Sequence, residues 1–205
     1  MKTLKYGDKG DDVKLLQSML NIYADGIFKK LTDEAVREYQ KEHNLTVDGI
    51  VGPKTWDSLM SSDMCLKKSR RKINEIIIHC TATREGQHVT VETIRKMHIK
   101  DRGWSDIGYH YIIYLDGSIH NGRDVDISGA HCSGHNSHSI GVVYVGGVKK
   151  DGKTPKDTRT EAQKKSLVKI LKALKKLYPN ATIHGHYEYS NKACPCFDVK
   201  EYKSI

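Results

Sequence analysis

The sequence predicts two domains, a small all-α three-helix bundle followed by an α/β domain with a mixed β-sheet flanked by helices. Three observations carry that expectation. The first 60 residues combine helical spacing of apolar side chains with a short repeat, D-G-I-x-x-x-x-T, which occurs at residues 25–32 and again 23 residues later at 48–55. From residue 73 onward, short β-branched runs alternate with helical patterns, as in a sheet with helices packed against it. Between the two, residues 63–72 hold five Lys and Arg against one Asp and read as a solvated basic linker. The expected boundaries are therefore 1–62, 63–72 and 73–205.

At 205 residues either domain has enough chain to bury a core of its own. The net charge of +9 is uneven: residues 1–62 carry 9 Lys and Arg against 10 Asp and Glu, whereas residues 73–205 carry 20 against 14. A basic surface suits any polyanion, whether nucleic acid, anionic lipid or a wall polymer bearing carboxylates and phosphates. With two Trp, two Phe and no ladder of basic and aromatic residues, nucleic acid is not expected as a partner. No apolar run approaches the length of a membrane span, and the residues from Met1 to Asp8 have no apolar signal core. The expectation is a chain without a signal peptide or membrane span, acting as a monomer. Five cysteines, an odd number without regular spacing, argue against a disulfide framework, and Cys80 and Cys132 read as small buried hydrophobes.

Within the repeat, Asp-Gly forms a turn, the Ile that follows is expected to fill the core, and Thr32 and Thr55 are expected to cap the next helix. Helices are expected over residues 11–22, with Val13, Leu16 and Leu20 on one face, over 32–43, with Val36 and Tyr39, and over 53–59. The blocks Gly7-Asp-Lys-Gly-Asp-Asp-Val-Lys-Leu-Leu-Gln17, Asp25-Gly-Ile-Phe28, Ala35-Val-Arg-Glu-Tyr-Gln40 and Asp48-Gly-Ile-Val-Gly-Pro-Lys-Thr-Trp56 closely resemble the three-helix peptidoglycan-binding module of many wall hydrolases. The resemblance spans residues 4–60 and implies bacterial peptidoglycan as the partner. Lys29-Lys30 stand where Gly-Pro usually follows the first D-G-I-F.

In the second domain, residues 73–80 read as a buried strand. A helix over 91–100 follows, with Thr90 as its cap and Ile94, Met97 and His98 on one side. Residues 110–114 and 118–121 read as a hairpin through the Asp116-Gly117 turn, 139–145 as a strand, 161–177 as an amphipathic helix with Leu167, Ile170, Leu171, Leu174 and Leu177 inward, and 181–184 as a last strand.

Chemistry concentrates in His184-Gly-His186-Tyr-Glu-Tyr-Ser-Asn-Lys192-Ala-Cys194-Pro-Cys196-Phe-Asp198. Imidazole and thiolate are the ligands that suit zinc, and His79, at the end of a buried strand, is the best candidate for a further one. Three protein ligands leave one position for water, the pattern of a catalytic site. The residues alone leave His184 and His186 as competing ligands, and likewise Cys194 and Cys196.

Four blocks in order, Ile76-Ile-Ile-His79-Cys-Thr-Ala-Thr83, Gly103-Trp-Ser-Asp-Ile-Gly-Tyr109-His-Tyr-Ile-Ile113, Gly129-Ala-His131-Cys-Ser-Gly-His-Asn136-Ser-His-Ser-Ile-Gly-Val142 and His186 to Asp198, resemble the zinc-dependent N-acetylmuramoyl-L-alanine amidases, the family of phage lysozyme-type amidases and peptidoglycan recognition proteins. The resemblance covers residues 73–200. It implies that His79, His186 and Cys194 hold Zn2+ and that Tyr109 and Lys192 are catalytic. Lys192 then supplies positive charge to the oxyanion, and Tyr109, a poor base with an ordinary pKa near 10, orients the water or donates a hydrogen bond. His131 and Asn136, in a Gly-flanked loop, are candidates for contact with glycan or peptide. His110, His120, His135 and His138 receive no role.

The expected function is hydrolysis of the amide between N-acetylmuramic acid and L-alanine by a phage or prophage endolysin, held in the host cytoplasm until lysis and acting at the cell wall. The alternatives are a non-catalytic peptidoglycan receptor, against which the presence of Cys194 argues, and a zinc peptidase cutting within the stem peptide.

Overall fold

The computed structural model describes residues 2–20, 22–61 and 66–205, apart from the side chains of Asp57, Met60 and Ser61. The chain divides into two compact units, Met1–Cys65 and Leu66–Ile205. The described residues of the first include helices α1 (Asp11–Met19), α2 (Lys30–Glu42) and α3 (Pro53–Ser61). Leu4, Val13, Leu16, Phe28, Val36, Val51, Trp56 and Leu59 form their shared core.

The repeat works differently from the sequence expectation. Its core residues are Phe28 and Val51, both fully buried, whereas Ile50 is 40% exposed and Ile27 half-buried. The cause lies in the turn. Asp25 Oδ1 accepts from Ile27 N and Asp48 Oδ1 from Ile50 N, each at 2.8 Å, which turns the isoleucine outward and the next residue inward. Nor do the threonines cap helices: α2 begins at Lys30, two residues before Thr32, and Thr55 lies inside α3. Their hydroxyls serve two buried glutamines, themselves 23 residues apart. Gln17 Nε2 donates to Asp25 Oδ1, Ile27 O and Thr32 Oγ1, while Gln40 Nε2 donates to Asp48 Oδ1, Ile50 O and Thr55 Oγ1. Gln17 Oε1 accepts from Gly26 N, and Gln40 Oε1 from Gly49 N. The repeat unit is thus a glutamine at the end of one helix that organises the turn leading to the next. Gln17→Leu and Gln40→Leu keep the volume but strand buried partners, and each is expected to destabilise this unit by about 2–4 kcal/mol in denaturant unfolding.

The second unit contains β1 (Glu75–Cys80), β2 (Thr83–Arg84), α4 (Val91–Arg102), β3 (Tyr111–Ile113), β4 (Ile119–Asn121), β5 (Ser139–Tyr144), β6 (Gly147–Val148), α5 (Glu161–Leu177) and β7 (Thr182–Gly185). The main sheet has the order β4-β3-β5-β1-β7; β3 and β4 pair antiparallel as the expected hairpin, and all other neighbours are parallel. This is a mixed sheet, with the apolar run Ile76-Ile77-Ile78 fully buried in the strand between β5 and β7. Strands β2 and β6 form a separate parallel pair, too short to leave a periodic signal in sequence.

Thr90 Oγ1 accepts from Thr93 N and caps α4, which turns Ile94 and His98 inward and leaves Met97 45% exposed. Helix α5 opens with a capping box between Thr160 and Gln163, and it buries Leu167, Ile170, Leu171 and Leu174. Gln163 Nε2 also donates to Ile113 O and Val145 O, fastening the helix to the ends of β3 and β5.

Residues 63–65 of the basic stretch lie outside the described residues. In the rest of it, several donors meet acceptors of the second unit. Lys67 pairs with Asp124 and Asp126, and Arg70 with Asp126. Ser69 is buried, donating through Oγ to Val125 O, and Arg71 donates to the carbonyls of Val125, Asn136, Ser137 and Ser139. Arg71 thereby holds the end of the loop that precedes β5.

Candidate metal centre

Strands β1 and β7 run parallel with adjacent registers, so their C-terminal ends reach one edge of the sheet together. β1 delivers His79 there. β7 ends at Gly185, and a short 3-10 turn, His186–Glu188, swings His186 toward it, with ring centroids 4.6 Å apart. The turn brings His186, and not His184, beside His79. His184 is occupied elsewhere, with Nδ1 2.9 Å from Glu188 Oε2 and Nε2 2.8 Å from Thr182 Oγ1.

Cys194 completes the group: its Sγ is 3.8 Å from His79 Nδ1, and one ligand atom from each of His79, His186 and Cys194 lies within 4.8 Å of the others. The backbone N–H of Cys80 donates to this sulfur at 3.2 Å. Cys196 points away from the group, its Sγ 3.6 Å from Cys80 Sγ. His79 is 1% exposed, while His186 and Cys194 are half-buried, so the group is closed on one side and accessible on the other. Burial, then the neighbouring His131 and His186 rings and the Lys192 ammonium, hold His79 well below the ordinary imidazole pKa. It is neutral, the form that binds a metal.

His131 is the residue whose surroundings the sequence concealed. The expectation of substrate contact meets a ring that is 8% exposed, with Nδ1 3.1 Å from His79 Nε2. With His79 Nδ1 turned to Cys194, Nε2–H donates to His131 Nδ1. His131 Nε2–H then faces Ser139 Oγ at 3.4 Å, and that hydroxyl donates to His135 O at 2.7 Å. Each donor in this chain has one acceptor, which fixes the His79 tautomer. A sequence signal for it existed: Gly141 sits inside a central strand, where glycine marks close approach. A Cβ there would lie 2.6 Å from the His131 ring, and one at Gly129 would also strike it. Asn136 stands one step back, its Oδ1 accepting from His131 N at 2.8 Å and Cys132 N at 2.9 Å. Loss of the His131 ring, as in His131→Ala, is expected to weaken zinc binding by about 10–100-fold in chelator competition while leaving KM for wall fragments nearly unchanged.

Tyr109 is half-buried beside the group, its ring centroid 5.2 Å from that of His79 and 6.4 Å from that of His131. Burial pushes its phenol above the usual range, so the hydroxyl keeps its proton. Lys192 is exposed on the segment between His186 and Cys194, close enough for its charge to lower the pKa of both His79 and His186.

Two imidazoles and a sulfur with one open side, here on a mixed α/β sheet, are donors that could hold a zinc ion and leave a position for water. The fit rests on a neutral buried imidazole, a braced second ring nitrogen and a donor aimed at the sulfur. Residues 69–197 match the model of the N-acetylmuramoyl-L-alanine amidase family and residues 9–59 that of a putative peptidoglycan binding domain. The chain belongs to the N-acetylmuramoyl-L-alanine amidase family. It is 43% identical to the endolysin of Escherichia phage T7 over 135 residues, covering 66% of this chain and 88% of that one. The endolysin of Klebsiella phage KP32 is 42% identical over 133 residues, 65% and 87% of the two chains. Among solved structures, the endolysin amidase LysCS from Clostridium intestinale URNW aligns with a TM-score of 0.56 at 30% identity, over 65% of this chain and 83% of that one. The Ph2119 endolysin from a Thermus scotoductus MAT2119 bacteriophage aligns with a TM-score of 0.54 at 27% identity, over 68% and 88%.

Proposed function

We propose that His79, His186 and Cys194 hold a zinc ion, with Tyr109 and Lys192 assisting hydrolysis of the amide between N-acetylmuramic acid and L-alanine. The chain is a peptidoglycan amidase of the phage endolysin type, as its family and its endolysin relatives have it. The observation that carries the site assignment is the convergence of one buried and two half-buried ligands within 4.8 Å. When bound there, zinc supplies Lewis-acid activation of water and of the amide carbonyl.

The protein's own groups do the rest. Lys192 brings a positive charge to the accessible side of the group, where negative charge develops on the carbonyl oxygen. The Tyr109 hydroxyl, protonated at neutral pH, donates a hydrogen bond that orients the attacked carbonyl or the attacking water. Tyr109→Phe keeps the ring and removes the donor; it is expected to lower kcat by about 10²-fold with little change in KM. His131 keeps His79 in its ligand tautomer.

The segment over residues 1–62 acts in this reading as a three-helix wall-docking bundle. Tethering a weak binder to the enzyme raises the local concentration of substrate without any new contact at the scissile bond. The chain works as a monomer from inside the infected host and reaches its substrate at lysis. No described helix is long and apolar enough to cross a membrane.

Mass analysis of fragments released from purified peptidoglycan tests the reading. New N-terminal L-alanine amines, no new reducing sugar ends, and loss of both signals with a chelator are expected. Amines at other stem residues would indicate a peptidase, and binding without release a receptor.

A further inference from the structure

Glu75 lies four residues before His79 on β1, and so on the same face of the sheet about 13 Å away. Two histidines without a role so far meet it there. His135 Nδ1 is 2.8 Å and His138 Nε2 3.5 Å from Glu75 Oε2. One ligand atom from each of the three residues lies within 4.8 Å of the others, as close a grouping as that of His79, His186 and Cys194. Ligands spaced tetrahedrally about 2.0–2.1 Å from a zinc ion are about 3.3 Å apart. The two separations at Glu75 bracket that value.

The same three chain segments build both groups. β1 contributes His79 to one and Glu75 to the other. The loop before β5 places His131 against His79 and His135 and His138 against Glu75. The segment after β7 gives His186 to the first and Tyr189 to the second. The Tyr189 hydroxyl donates to Glu75 Oε1 at 3.2 Å and its ring stacks on His135 at a centroid distance of 3.8 Å. One carboxylate oxygen is therefore held by tyrosine while the other faces both imidazoles.

The backbone is equally fixed. His138 O accepts from Asn74 N and Glu75 N, and His135 O from Ser139 Oγ. The side chains of Glu75, His135 and His138 are 16%, 26% and 33% exposed, so an ion can enter from solvent and water can complete its coordination. The contrasting case is His184 with Glu188, where the carboxylate meets only one imidazole and also binds Lys203, and the imidazole's second nitrogen is bound to Thr182.

We propose that Glu75, His135 and His138 form a second site for a divalent ion of the zinc class. One carboxylate and two imidazoles are a donor set that zinc takes in three-ligand sites. Occupancy clamps the loop before β5 to β1, and with it the His131 ring that braces His79. The site does not depend on Cys194, so it stands or falls apart from the catalytic assignment.

The test is zinc content of the full chain after equilibrium dialysis against Zn2+, with far-UV circular dichroism as the check on folding. Two ions per chain are expected for the natural sequence, one for His138→Gln or Glu75→Gln, one for Cys194→Ser, and none for Cys194→Ser combined with His138→Gln. Affinity for the second ion is expected to fall about 100-fold or more in His138→Gln. A single ion in both the natural chain and His138→Gln overturns the proposal, as does a second ion taken up equally by both. If Cys194→Ser does not fold, the comparison of the natural chain with His138→Gln decides alone.

Discussion

Cys194→Ser lowers wall hydrolysis by at least about 10³-fold, because water is a poor nucleophile at neutral pH without metal activation. A serine hydroxyl is shorter than a thiol and does not ionise near neutrality, so it cannot replace a sulfur that stands 3.8 Å from His79 Nδ1 and accepts the Cys80 N–H. The matched control is Cys196→Ser, two residues away. Cys196 contacts Cys80, and that contact, then burial, pushes its thiol pKa up. Cys196→Ser therefore retains most of the activity and all of the catalytic zinc. Release of L-alanine amines, measured beside zinc content, separates the two variants. Equal losses in both would mean that the sulfur at the metal had been misassigned.

The next largest effect is expected at Lys192. Lys192→Met keeps the length of the side chain and removes its charge, and is expected to lower kcat by about 10²–10³-fold, the cost of losing one group that stabilises the oxyanion. The side chain is exposed, yet its charge lies near enough to lower the pKa of His79 and His186, after the larger effect of their burial. KM is expected to change little, because the interaction strengthens only as negative charge develops. Lys192→Arg restores part of the rate. A KM effect with unchanged kcat would make Lys192 a contact for the anionic wall instead.

Much of this arrangement was legible in the sequence, and its failures have physical causes. The buried run ending at His79, the amphipathic helix over 161–177 and the hairpin across Asp116-Gly117 follow from periodicity and turn chemistry, which act locally. The D-G-I repeat was visible, but its role was misread. Asp-Gly turns are local, whereas the glutamine that organises each turn lies eight residues upstream, and only the fold joins them. Thr32 and Thr55 resemble caps in sequence because a hydroxyl before a helical pattern is usually one, and here the glutamines claim them. His186 and His184 were indistinguishable because alternation assumes a continuing strand, which the turn at His186–Glu188 interrupts. The ion pairs of the basic stretch were not legible, because a charge run shows its charges and not its partners; Asp124 and Asp126, more than fifty residues away, pair with Lys67 and Arg70. His131 was placed at the substrate because its loop is rich in glycine. Gly129 and Gly141 make room for its ring beside His79.

X-ray absorption at the zinc edge, on chain loaded with one equivalent, tests the central assignment most directly. One sulfur at about 2.3 Å and lighter nitrogen or oxygen ligands at about 2.0–2.1 Å are expected, with the sulfur shell absent in Cys194→Ser and intact in Cys196→Ser. A spectrum with no sulfur, or with two, would contradict it.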